Sequence, residues 1–136
     1  MSYSDRHVWQ GTVQTLDGAT DLDSTVGFVM TQPVVIHRVG LHVLNTAVGG
    51  ASVVFEDRID ATTDATIATV VIPASNQQGT LIYKEVASSG YQLEAGHRIN
   101  LAVTESGTAP TAIPVVEYSF AQKQAAQQGA EVVASS

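Results

Sequence analysis

The chain has 136 residues, six basic and thirteen acidic side chains, and a formal net charge of −7. It has no cysteine, which excludes disulfide frameworks, zinc–thiolate centres and thiol nucleophiles. Its acidic balance argues against a general nucleic-acid binder, because a negative surface repels phosphate backbones.

One domain is expected at this length. Hydrophobic residues make up 44% of the chain, too many for a disordered sequence. No apolar run approaches the roughly 20 residues that a membrane helix needs. The opening MSYSDRHVWQ lacks the basic and then apolar segments of a signal peptide.

Strand signals follow one another along the chain. HVWQGTVQTL is rich in β-formers and ends before the turn cluster DGATDLDS. TVGFVMT reads as a second strand, interrupted at Gln32-Pro33 because proline cannot donate to a ladder. VVIHRVGLHVLN is the strongest. Strict alternation places Val35, His37, Val39, Leu41 and Val43 toward the core, and Ile36, Arg38, Gly40 and His42 on the other face.

Gly49-Gly50 then supplies the positive φ of a tight hairpin. ASVVFEDRI puts Val53, Phe55 and Ile59 on one face. TIATVVIP and TLIYKEV follow. In YQLEAGHRINLAVTES, Ile99, Leu101 and Val103 alternate with Arg98, Asn100, Ala102 and Thr104. The last strand, IPVVEYSFA, groups Val116, Tyr118 and Phe120.

About eight short strands with frequent turns carry the sandwich or barrel signature, and the expectation is an all-β protein, an antiparallel β-sandwich of jelly-roll type over residues 1–120. Residues 121–136, QKQAAQQGAEVVASS with the preceding alanine, lack an apolar stripe. Together with the polar N-terminus they are expected to form extended arms. A tail of this composition has little reason to be ordered on a lone domain, so a neighbouring subunit is expected to hold it.

No segment has the spacing of an active site. His37 and His42 are five apart, so a regular strand points them to opposite faces and they cannot chelate one ion. His7 and His97 have no accompanying ligand pattern. Asp17 to Asp23 resembles a calcium loop in composition but fails its spacing, and reads as a solvated turn. Asp57, Asp60 and Asp64 are discounted on the same grounds. Nucleophile elbows, phosphate loops and dinucleotide fingerprints are missing. The expectation is therefore a protein that is not an enzyme, with no catalytic residue, no metal ligand and no cofactor. Trp9, Tyr3, Tyr83, Tyr91 and Tyr118 suit core or interface packing better than a sugar platform.

Two stretches resemble a known group of proteins. VVIHRVGLHVLNTAVGGASVVFEDRI is similar to the paired core strands of small tailed-phage capsid accessory proteins, with a hydrophobic–x–Arg–Val–Gly strand, a glycine turn and a Val–x–Phe strand. YQLEAGHRINLAVTESGTAPTAIPVVEYSF resembles the closing hairpin of viral jelly rolls. Together they cover a little over half the chain. The resemblance implies a capsid decoration or cement protein of the virion's outer surface. It would be a homo-oligomer, with a trimer favoured, bound to the major capsid protein and to no nucleic acid or membrane. The alternative is a carbohydrate- or receptor-binding β-module of a phage tail or fibre, in which Trp9 or Tyr91 would stack on the ligand.

Overall fold

A computed structural model of the chain describes residues 6–17, 22, 26–45, 50–60, 63–73, 78–105 and 109–121. Apart from Arg6 and Ala121, the expected terminal arms lie outside these residues, as do most of the Asp17–Asp23 segment and Gly49.

Nine strands are present among the described residues. They are β1 (His7–Gln10), β2 (Gln14–Thr15), β3 (Val34–Val43), β4 (Ala51–Arg58), β5 (Asp64–Ile72), β6 (Leu81–Glu85), β7 (Tyr91–Leu93), β8 (Arg98–Glu105) and β9 (Thr111–Phe120). The larger sheet has the order β1-β9-β3-β6, with β2 continuing alongside β9 and β7 alongside β3. The smaller has the order β5-β4-β8. Every pairing is antiparallel. After β3 the chain crosses to β4 and β5, returns for β6 and β7, crosses again for β8 and ends in β9. This winding between two antiparallel layers is that of a jelly-roll sandwich.

The core lies between the layers. Ile36, Leu41, Val43 and Val116 of the larger sheet and Val53, Phe55, Leu101 and Ile72 of the smaller are almost fully buried. Alternation delivers them as expected in β8, where Ile99, Leu101 and Val103 all face inward. In β9, Val116, Tyr118 and Phe120 share the inner side, opposite Trp9 and His7 of β1.

The strongest sequence strand departs from strict alternation. Its register against β9 slips between Ile36 and Arg38, leaving His37 as an extra residue. A bulge of this kind shifts the phase of everything beyond it. Val34 and Ile36 therefore join Val39, Leu41 and Val43 in the core, while Val35 and His37 are only half-buried. Alternation alone had exchanged Val35 with Ile36. The bulge also corrects the histidine placement: His37 reaches Ser119 and His42 sits opposite Ile113, both on the outer face. Ser119 and Ile113 are six residues apart on β9, about 20 Å, so the pair still cannot share an ion.

Three further expectations change. HVWQGTVQTL breaks into β1 and β2: Gln10 stands opposite Val115 and Gln14 opposite Ala112, so three residues between them face two on β9, and Trp9 packs over Gly11. Among its described residues TVGFVMT contributes only a bridge between Val29 and Arg98, and Val26 N–H donates to the Leu22 carbonyl at 3.0 Å. Ile59 falls beyond the end of β4 and is 44% exposed, so the inner position after Val53 and Phe55 belongs to Asp57.

The bulge makes a measurable prediction. Ile36→Ala should destabilise the fold by about 2–5 kcal/mol, as a fully buried large-to-small change does, and Val35→Ala by clearly less. Urea denaturation of the two variants decides the phase; equal losses would contradict it.

Candidate functional site

The outer face of the larger sheet is built in rows, because residues directly opposite on neighbouring strands share a face. One row runs Val8, Glu117, Arg38, Glu85 across β1, β9, β3 and β6. The next runs Gln10, Val115, Gly40, Tyr83, and a third Ile113, His42, Leu81.

Glu117 is the hub. Arg6 Nη1 donates to its Oε1 at 2.9 Å, and Arg38 Nε donates to its Oε2 at 3.0 Å. Arg38 Nη1 also reaches Glu85 at 3.5 Å. The Arg38 guanidinium lies over the Tyr83 ring, 3.9 Å from its centroid, as a cation–π contact. Tyr83 can lie flat there because its partner is Gly40, where a Cβ would come within 2.8 Å of the ring. Beside this network, His37 Nε2 and Ser119 Oγ are 2.7 Å apart.

These contacts set the charge states. Burial alone would raise the Glu117 carboxyl, but the hydrogen bonds from Arg6 and Arg38 outweigh it and hold the group below its ordinary value. Burial, reinforced by the nearby Arg6 charge, pushes the His37 imidazole down.

A second cluster ties the two sheets together. Asp57 is 3% exposed, on the inner face of β4. Tyr91 of β7 donates its hydroxyl to Asp57 Oδ2 at 2.7 Å. His97 Nδ1 stands 3.0 Å from Oδ1 and 3.4 Å from Oδ2, and only the longer contact has hydrogen-bond geometry. Oδ1 is left without an aligned donor. Burial, then the Asp57 hydrogen bond, pushes the Tyr91 hydroxyl up to about 12.

The remaining candidates occupy separate settings. Asp60 accepts from the Thr63 amide at 2.8 Å, and Asp64 pairs with Arg58. The three aspartates therefore do not converge. His7 packs against Tyr118 and Phe120 at centroid distances of 5.4 and 5.2 Å. Trp9, Phe28, Tyr118 and Phe120 continue that row in edge-to-face contacts. Rings packed edge to face close the sandwich at β1, whereas a sugar platform presents ring faces. Trp9 and Tyr91 lie on strands separated by β9 and β3, so the structure does not bring them together. Among the described residues there is no group of three or more His, Cys, Asp or Glu able to hold a metal ion. No helix among them is long and apolar enough to cross a membrane.

Sequence reasoning missed both clusters. Arg6 and Glu117 are 111 residues apart, Arg38 and Glu117 79, and Asp57 and Tyr91 34. The available signal was Glu117 itself, a lone acid inside the apolar run VVEYSF.

No protein-family model matches the chain, and no curated protein matches it. Among solved structures it is similar to Eiger TNF from S. frugiperda, with a TM-score of 0.49 and 13% identity, over 95% of this chain and 100% of that one.

Two measurements test these clusters. Tyr91→Phe should cost about 1–3 kcal/mol, since it removes a donor to a buried carboxylate. The Tyr91 hydroxyl is raised in the folded state, so its contribution is complete below its ordinary value of 10.0 and is lost as pH rises toward about 12. Thermal melts of the wild type should therefore fall across that range more steeply than those of Tyr91→Phe. Glu117 has the opposite sign. Its contribution is present above the ordinary value of 4.5 and is lost as pH falls below it. Glu117→Gln should lower stability at neutral pH and flatten that acid limb; an unchanged acid limb would contradict the hub role.

Proposed function

We propose that this chain is a structural, non-catalytic virion protein that decorates a phage capsid and stabilises it by binding major capsid protein subunits. In this reading it acts as a homo-oligomer, with a trimer favoured, on the outer surface of the shell. The observation that carries the proposal is how the ionisable side chains are used. Glu117, Arg38, Arg6, Asp57, His97, Arg58 and Asp64 are engaged with one another as ties between strands. Beside these ties, the described strands present broad surface to other molecules.

Three features support this reading. The segments that resemble capsid accessory proteins form the central strands of both layers, β3 with β9 and β4 with β8. Ten-residue strands such as β3 and β9 present a broad surface of the kind protein interfaces use, whereas small-molecule sites are concave. The net charge of −7 suits docking on basic capsid loops.

The test is direct. Purified protein is mixed with shells assembled from a tailed-phage major capsid protein and sedimented. The expected result is co-sedimentation and a higher temperature of shell disruption. Protein left in the supernatant beside intact shells would overturn the proposal, and binding to a glycan array instead would favour the tail-fibre reading.

A further inference from the structure

We infer that Arg6, Glu117 and His37 form an acid-sensitive latch, which ties the start of the edge strand β1 to the larger sheet at neutral pH and lets it go on acidification. The inference goes beyond the capsid-decoration reading and does not depend on it.

What the latch holds is lightly anchored. β1 lies at the edge of the larger sheet and pairs, among the described strands, with β9 alone. It has four residues, of which only Trp9 is half-buried. Strand ends with so little buried side chain open locally at small cost. The far end of β1 is fixed by Trp9, packed edge to face on Phe28, and by Gly11 N–H on the Pro114 carbonyl at 2.9 Å. At the near end His7 packs on Tyr118 and Phe120. The ionic tie there is Arg6, 2.9 Å from Glu117 Oε1. Its side chain is 51% exposed, against 32% for Arg38 on the other oxygen, so Arg6 is the more easily displaced of the two cations.

His37 is the sensor. It is the extra residue of the β3 bulge, half-buried, with Nε2 2.7 Å from Ser119 Oγ. Charge acts on it from Glu117 on β9, from Arg6 ahead of β1 and from Glu85 on β6, and Arg38 follows it on its own strand. The β7 side adds none. Gly90, next to the ring, has no side chain, Gln92 opposite Val35 is uncharged, and Tyr91 turns inward to Asp57.

Both carboxylates are already engaged. Glu117 takes Arg6 on one oxygen and Arg38 on the other, and Glu85 also takes Arg38. Two acids and two arginines balance. A proton on His37 adds a third cation, at a half-buried position where charge is also stripped of water. The excess is relieved when Arg6, the exposed one of the three, swings off Glu117 into solvent. The same opposition is felt at the ring, where burial and then the Arg6 charge hold the imidazole below its ordinary value. A base kept neutral by folding leaves the structure intact above its ordinary value of 6.5 and weakens it as pH falls below that. Glu117, held below 4.5, is still charged just under 6.5, so β1 is released before the Glu117 hub itself is lost.

The experiment is amide hydrogen exchange on the full chain at about pH 7.5 and about pH 5.5, which brackets the charge change of histidine. Each rate is divided by the intrinsic rate at that pH. In the wild type, protection of the β1 amides should fall several-fold at the lower pH, while that of β4, central in the smaller sheet, is kept. His37→Gln keeps a donor for Ser119 without a titratable charge, and should keep β1 protected at both values. Arg6→Gln changes an exposed side chain, and decides the matter even where the glutamine at position 37 disturbs the bulge. It should leave β1 weakly protected at both values, with no further loss in acid. Unchanged β1 protection in the wild type, or a fall of full size in either variant, would overturn the inference.

Discussion

The bulge at His37 is the constraint on which the rest of the structure depends. Strand β3 is central to the larger sheet, paired with β9 along its length and with β6 and β7 on its other side. Without the extra residue, one end of β3 would turn its apolar side chains outward, because a slip of one residue inverts every later side chain. With it, Ile36 and Val39 both face the core, and Arg38 emerges directly opposite Glu117. His37, the extra residue, is accommodated beside Ser119. Core packing and the outer ionic network therefore have a common origin in one local irregularity.

Glycine supports the same arrangement from both sides. At Gly90, with φ of +77°, a side chain would overlap Val35 and press on the Ile36 carbonyl, so the turn before β7 can sit close against β3 only as glycine. At Gly40 the missing side chain is replaced by the Tyr83 ring, which in turn supports Arg38. The two layers are then joined across the interior by Asp57 and Tyr91, a buried hydrogen bond between strands of different sheets. A buried carboxylate is costly unless satisfied, so this contact favours one relative placement of the sheets over others.

The strongly placed charges occur in pairs or short chains that cross strand boundaries, at Glu117, at Asp57 and at Arg58–Asp64. The face carrying the Glu117 network also presents the exposed apolar side chains Val8 and Leu81, beside the polar Gln10 and His42. Broad strand surface of this kind can be covered by another protein surface, which is the physical basis of the decoration proposal.

Local pattern along the chain was enough to give the class of the protein. Period-two alternation in residues 98–104 and 113–120, with turn residues between short apolar runs, is a local signal, and the all-β sandwich follows from it. Alternation also placed Ile99, Leu101, Val103, Val116 and Tyr118 correctly, because those strands are regular where they pair. Only the tertiary structure decided the phase of β3, since a bulge is defined by which residue of β9 stands opposite, and that partner is some 80 residues away. It likewise decided that Asp57 faces inward and that TVGFVMT is reduced to a single bridge. The Glu117 and Asp57 clusters were illegible for the same reason. Each is assembled from strands distant in sequence, and an ion pair leaves no periodic trace in the segments that contribute to it.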